Sequence, residues 1–279
     1  MVAARAHLTA RLPTHTLETS EEAGVRFLHF GSEWVQGAMR IARPWSLELE
    51  YTREMMAALL LREGGGKAAG HPPAYSLRVL RDPPRKVLLI GLGAASLTKF
   101  LYRNFPLAHL TVVEIEPDVI AAARQFFKLP EDPMRINLII ADGAEYVLNS
   151  NKKFDLIMVD GFDENARSGA LDTLPFYQAC RARLSDDGVM AVNLLGRSRG
   201  FEASLVRIRK AFADRVLEFH SCESGNVIAI AAAGNPIEIS FDDLRENALT
   251  LKKETGLNLL PTLARLEQSH SCLGGLLKL

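Results

Sequence analysis

From residue 85 to residue 233, short apolar runs alternate with amphipathic stretches. The first run, Lys86-Val-Leu-Leu-Ile90, is bounded by Pro84 and Gly91 and shows no polar alternation. That pattern fits a strand covered on both faces. Further strands are predicted at 109–114, 136–140, 154–160, 188–194, 215–220 and 226–233, with helices near 95–104, 117–127, 143–149, 173–184 and 200–213. Strands separated by helices in this way imply βαβ units, hence an α/β fold with a mostly parallel sheet covered on both sides. The last two runs have no helix between them and are expected to pair antiparallel at the sheet edge.

The flanks are patterned differently. Residues 1–22 are polar and mixed, with no sustained period, and read as a loose or partner-docked arm. Two short runs, 25–30 and 34–41, separated by Gly31-Ser32-Glu33, suggest a small hairpin layer. After Pro44, residues 45–61 carry apolar side chains at helical intervals and stop before Gly64-Gly65-Gly66; the Gly-, Pro- and Arg-rich 63–85 is a connector. Beyond Pro236, amphipathic helices are expected near 241–253 and 261–268. The chain thus divides into an arm and β layer (1–45), a nucleotide-binding core (46–235) and a helical tail (236–279).

Composition narrows the function classes. With 48% apolar and 24% charged residues among 279, the chain is ordinary globular material, enough for one or two domains at roughly 150 residues each. Lys plus Arg equals Asp plus Glu at 33 each, so no global field draws nucleic acid or an anionic membrane, and neither is expected as a partner. Cys180, Cys222 and Cys272 are far apart and form no CxxC pair, which fits reduced thiols in the cytoplasm. The N-terminus has no apolar h-region and no window approaches ~18 apolar residues, so neither a signal peptide nor a membrane span is expected. The seven histidines, His220 and His270 among them, have no metal-ligand spacing, and no metal is expected. Trp34 and Trp45 fit packing or a subunit interface.

The candidate chemistry lies at the strand ends. Gly91-Leu92-Gly93 follows the first strand and opens a helix, so its backbone can turn tightly and admit a nucleotide without Cβ interference. Ser96 stands where a third glycine would complete the dinucleotide fingerprint, so the loop alone fits a structural turn as well as a ligand loop. Glu114 ends the second strand about 20 residues past the loop, where an acid can accept from ribose hydroxyls. Asp142-Gly143 ends the third strand; Asp142 can accept from an adenine amino group, cap the next helix, or do both. Asp160 closes the fourth strand, and Asp163 and Glu164 follow in a polar loop. Carboxylates at such a cleft suit a cationic amine, though Asp163 and Glu164 also read as a solvated turn.

With these residues in place, the chain resembles the spermidine synthases, the polyamine aminopropyltransferases. The resemblance runs from about Tyr51 to Asn193 and rests on Val87-Leu-Leu-Ile-Gly-Leu-Gly, Val113-Glu-Ile-Glu-Pro-Asp-Val-Ile, Ala141-Asp-Gly, Phe154-Asp-Leu-Ile-Met-Val-Asp-Gly-Phe-Asp and Phe176-Tyr177. It implies the Rossmann-like class I methyltransferase fold, with a seven-stranded sheet and an antiparallel edge pair. It further implies decarboxylated S-adenosylmethionine as cofactor, bound at Gly91, Gly93, Ala94, Glu114, Ile115, Asp142 and Gly143. Asp160 would assist the attacking amine, with Asp163, Tyr51 and Glu164 holding a polyamine such as putrescine. A cytoplasmic homodimer built through residues 1–45 is implied as well. Two departures stand out. Ala94 replaces an aspartate that holds the cofactor's amino group, a contact worth roughly 1.5–3 kcal/mol. Upstream, the family's acidic, tyrosine-containing helix start is matched loosely by Glu48, Glu50 and Tyr51. A methyltransferase using intact S-adenosylmethionine, and a non-catalytic nucleotide-binding homologue, remain the alternatives.

Overall fold

The computed structural model describes residues 17–30, 35–61, 83–163, 165–198, 200–219, 225–268 and 275–279. Trp34, residues 63–82 of the 63–85 connector, Glu164, His220, Cys222, His270 and Cys272 lie outside the described residues.

A seven-stranded sheet organises the chain: β4 (Lys86–Ile90), β5 (His109–Glu114), β6 (Ile136–Ile140), β7 (Phe154–Val159), β8 (Leu184–Leu195), β9 (Val216–Glu218) and β10 (Asn226–Ala232). Their order across the sheet is β6-β5-β4-β7-β8-β10-β9. Pairings from β6 to β8 are parallel, while β10 runs antiparallel to both β8 and β9. The order reverses at β4, the first strand, which lies between β5 and β7. In an open α/β sheet that reversal leaves a crevice at the carboxyl ends of the strands. Val87, Leu88, Leu89 and Ile90 of β4 are all buried, as a strand sandwiched between helix layers requires.

The crossover helices begin where local chemistry favours a start. Asp142 caps α4 (Gly143–Asn149) by accepting from the backbone N–H groups of Ala144 and Glu145, and Pro117 opens α3 (Pro117–Phe126). Thr173 caps α5 (Leu174–Arg183) in the same way. Helix α2 (Ser96–Asn104) follows the glycine loop, and α6 (Phe201–Phe212) precedes the edge pair.

Four expectations need correction. Residues 17–22 are not part of a loose arm: β1 (Leu17–Glu22) pairs antiparallel with β2 (Val25–Phe30), which pairs with β3 (Val35–Arg40). The LETSEE sequence of β1 leaves nearly every side chain exposed, so backbone pairing rather than an apolar face holds it. The helix predicted over 45–61 starts later, as α1 (Glu50–Met55), and tightens into a 3-10 turn at Met56–Leu61 whose side chains are all buried. Strand β8 begins at Leu184 rather than 188. In the tail, α7 (Phe241–Thr255) and α8 (Leu260–Gln268) are joined by a pairing absent from the periodicity, β11 (Glu238–Ser240) with β12 (Leu276–Lys278).

Candidate active site

Close contacts tie the strand ends and the glycine loop together. The N–H of Gly91 donates to the Val113 carbonyl at 2.9 Å, and the N–H of Asp160 donates to the Ile90 carbonyl at 2.9 Å. Gly91 sits at φ +92°, and a Cβ there would run into the Asp160 carbonyl, so both the conformation and the approach need glycine. Gly93, at φ +49°, packs against β3: a Cβ on it would lie 2.8 Å from the Gln36 carbonyl. Ser96 donates its hydroxyl to the Ala38 carbonyl at 3.1 Å. The glycine loop is therefore held between the parallel sheet and the N-terminal β layer.

Above this loop lies a cavity of about 280 Å³, lined by the glycine loop and by residues from every strand end predicted to carry chemistry. Tyr51, Gly91, Gly93, Ala94, Glu114, Ile115, Asp142, Gly143, Asp160 and Asp163 all line it. Of the site residues predicted from sequence, Glu164 alone lies outside the described residues.

Glu114 is buried, and both of its oxygens accept backbone donors: Oε2 from Leu92 at 2.8 Å and Oε1 from Glu116 at 3.0 Å. Burial raises its carboxyl above the usual glutamate range, while these N–H groups pull it back. Asp142 uses Oδ1 for the cap of α4, at 2.7 Å from the Ala144 nitrogen. No described residue donates to its Oδ2, so capping and ligand binding are compatible. Ile115 leaves an apolar side chain exposed at the rim.

Asp160 sits at the centre of a network that the sequence did not announce. Its Oδ1 accepts from the Asn193 amide at 2.8 Å, and its Oδ2 accepts from the Tyr51 hydroxyl at 3.2 Å. Asn193 in turn accepts from the Asn226 amide at 2.8 Å. Burial raises Asp160 above the usual aspartate range, and the hydrogen bonds from Asn193 and Tyr51 offset this only in part. Tyr51 is pushed well up by burial and then by the neighbouring carboxylate, so its hydroxyl stays protonated as a donor. Sequence reasoning missed Asn193, Asn226 and Gln36. The signal for Asn193 was a polar residue inside the apolar run Val189-Met-Ala-Val-Asn-Leu-Leu.

Asp163 is placed differently. It is exposed, and its Oδ1 accepts from the backbone N–H groups of Asn165 at 2.9 Å and Arg167 at 2.8 Å. It is a turn former first, and no described residue donates to its Oδ2. Of the upstream acids, Glu48 pairs with Arg40 and Glu50 with Arg265, which leaves Tyr51 as the member of that segment that reaches the cleft. Ala94 is buried against β3: a Cβ added to Gly37 would lie 2.6 Å from the Ala94 Cβ.

The sequence and the fold both have known relatives. A spermine/spermidine synthase domain matches residues 70–210. The polyamine aminopropyltransferase of Chromobacterium violaceum is 34% identical over 93% of this chain and 92% of its own length. This chain belongs to the spermine/spermidine synthase family. The polyamine aminopropyltransferase of Neisseria meningitidis serogroup A is likewise 34% identical, over 90% of this chain and 89% of its own. Among solved structures, a spermidine synthase in complex with the transition-state analogue AdoDATO superposes with a TM-score of 0.61 at 23% identity, covering 90% of this chain and 85% of that one. Human methyltransferase-like protein 13 in complex with SAH gives 0.63 at 24% identity, covering 75% and 93%. At those identities the structural likeness speaks for the fold, the class I methyltransferase-like α/β architecture that the spermine/spermidine synthase family shares.

Proposed function

We propose that this chain transfers an aminopropyl group from decarboxylated S-adenosylmethionine to a polyamine such as putrescine. The observation that carries the reading is the Asp160 carboxylate, held by Asn193 and Tyr51 at the mouth of the cavity and locked beside the glycine loop by Gly91. The cavity fits the donor chemically. A glycine loop admits close backbone approach, the Glu114 carboxylate suits ribose hydroxyls, and the unclaimed Oδ2 of Asp142 suits an adenine amino group.

Bound there, the donor would supply a carbon activated by a positively charged sulfur, which leaves as a neutral thioether. The protein's part is to present an amine with a free electron pair. A primary amine has a pKa near ~10.4 and is mostly protonated at neutral pH. Asp160 can attract the ammonium, accept its proton and hold the freed amine in line, combining base catalysis with positioning. Tyr51 and Asn193 fix the orientation of that carboxylate. Asp163, at the loop, adds negative potential for the far ammonium of a diamine. Incubation with decarboxylated S-adenosylmethionine and putrescine, read by mass spectrometry, should show the amine gaining one aminopropyl unit and release of methylthioadenosine. Absence of both products across a panel of diamines and polyamines would reject the reading.

One observation favours a second reading. Ala94, buried against Gly37, brings no carboxylate to the donor's amino group, and so removes one discrimination against intact S-adenosylmethionine. Methyl transfer on the same fold is the alternative, and tenfold tighter calorimetric binding of the intact compound, about 1.4 kcal/mol, would favour it. A two-fold dimer through residues 1–45 belongs with the leading reading; gel filtration at the 30.7 kDa of one chain would remove it.

A further inference from the structure

Helix α1 carries Tyr51, yet it has only six residues and no side-chain N-cap. A helix that short does not hold itself in place, so its position depends on its neighbours. One neighbour comes from the opposite end of the sequence. Arg265, on α8, reaches both Glu50 and Glu54 of α1: its Nη1 lies 2.9 Å from Glu50 Oε1, and its Nη2 bonds Glu54 Oε1. The two acids stand four residues apart, on one side of the helix, and a planar guanidinium spans them in a way a lysine cannot.

Glu54 makes this contact one that the protein cannot lose lightly. Its side chain is 0% exposed, and its Oε2 has no partner among the described residues. Removing Arg265 would leave a buried carboxylate uncompensated, which displaces or protonates it. Meanwhile the hydrogen bond at the other end of the chain of contacts, Tyr51 to Asp160, is already long at 3.2 Å. A few tenths of an ångström of helix movement would break it.

We infer that Arg265 is a positioning residue: by clamping Glu50 and Glu54 it holds α1 so that Tyr51 can orient the Asp160 carboxylate, which gives the C-terminal tail a part in the reaction. The inference rests on the transferase reading above. Arg265 touches neither the cavity nor Asp160, so its effect must pass through α1.

A double-mutant cycle tests it. Arg265→Ala should lower kcat roughly tenfold, the scale of one lost hydrogen bond to a charged group, with donor affinity unchanged. Tyr51→Phe should do the same, and adding Arg265→Ala to Tyr51→Phe should cost nothing further. Losses that multiply, or an equal fall in donor affinity, would overturn the positioning role. Should Arg265→Ala fail to fold, Arg265→Lys enters the same cycle, since it keeps a charge for Glu54 without bridging both acids. Wild-type protein that turned over no amine would count against the transferase reading instead. The clamp then stands on amide exchange of residues 50–55, faster in the Arg265 variant if it holds α1 and unchanged if it does not.

Discussion

Glu114 and Asp163 are both carboxylates on the rim of one cleft, and they are built in opposite ways. Glu114 ends a buried strand and is gripped through both oxygens by backbone N–H groups. Asp163 is exposed on a loop and spends its Oδ1 on the turn that contains it. The difference separates a pre-formed half of the site, fixed by the sheet, from an adaptable half, fixed by a loop. In the proposed transferase reading donor recognition falls to the first and acceptor recognition to the second, so that substrate preference could change without disturbing the fold. Asp160 stands at the boundary, rooted in β7 yet facing the loop.

Substitutions can break or sharpen that contrast. Asp160→Asn, at the boundary, should lower turnover by roughly 10²–10⁴-fold while donor binding by calorimetry stays near wild type; retained turnover would remove the residue from the chemistry. Glu114→Gln puts an amide NH2 against one of two backbone N–H donors, and should weaken donor binding roughly 10–100-fold. A loss confined to the amine KM would show that the two halves are not separate. Ala94→Asp buries a charge against Gly37, so the expected result is a Tm lower by roughly 5 °C or more with no gain in donor affinity. Tighter binding of the decarboxylated donor would instead show that the β layer can yield. Asp163→Ala should cost about 1 kcal/mol in the loop and raise the amine KM a few-fold, leaving kcat intact.

The smallest expected effect concerns pH. Burial holds Asp160 above its unfolded value, so between the unfolded and the raised folded pKa the native state binds more protons. Stability from this group is therefore lost as pH rises through that window. Asp160→Asn lacks the penalty, so its chemical-denaturation midpoint should match or exceed wild type at pH 7, with the gap closing in acid. A variant less stable than wild type at neutral pH would mean that the hydrogen bonds from Asn193 and Tyr51 outweigh burial.

The contrast also explains what was legible in the sequence. Strands β4, β5 and β7 announce themselves because burial on both faces demands largely apolar runs, and the acids Glu114, Asp142 and Asp160 stand out by their position at strand ends. Strand β1 does not, because an exposed edge strand needs only backbone pairing and LETSEE carries no apolar signature. The 3-residue strands β11 and β12 are too short to show a period. The Tyr51–Asp160–Asn193–Asn226 network joins four distant segments, and no local pattern encodes a meeting that only the fold arranges. Asp163 was ambiguous for a physical reason: the same side chain can serve a turn and a ligand, and only the geometry shows that the turn comes first.

The packing of Gly37 beneath Ala94 constrains the history of this chain. A larger side chain at 94 has to fit between β3 and the cavity that Ala94 also lines, and any side chain at 37 would press on residue 94. Positions 37 and 94 should therefore vary together among relatives, and a library that randomises both at once has a route to altered donor preference that single substitutions at 94 lack.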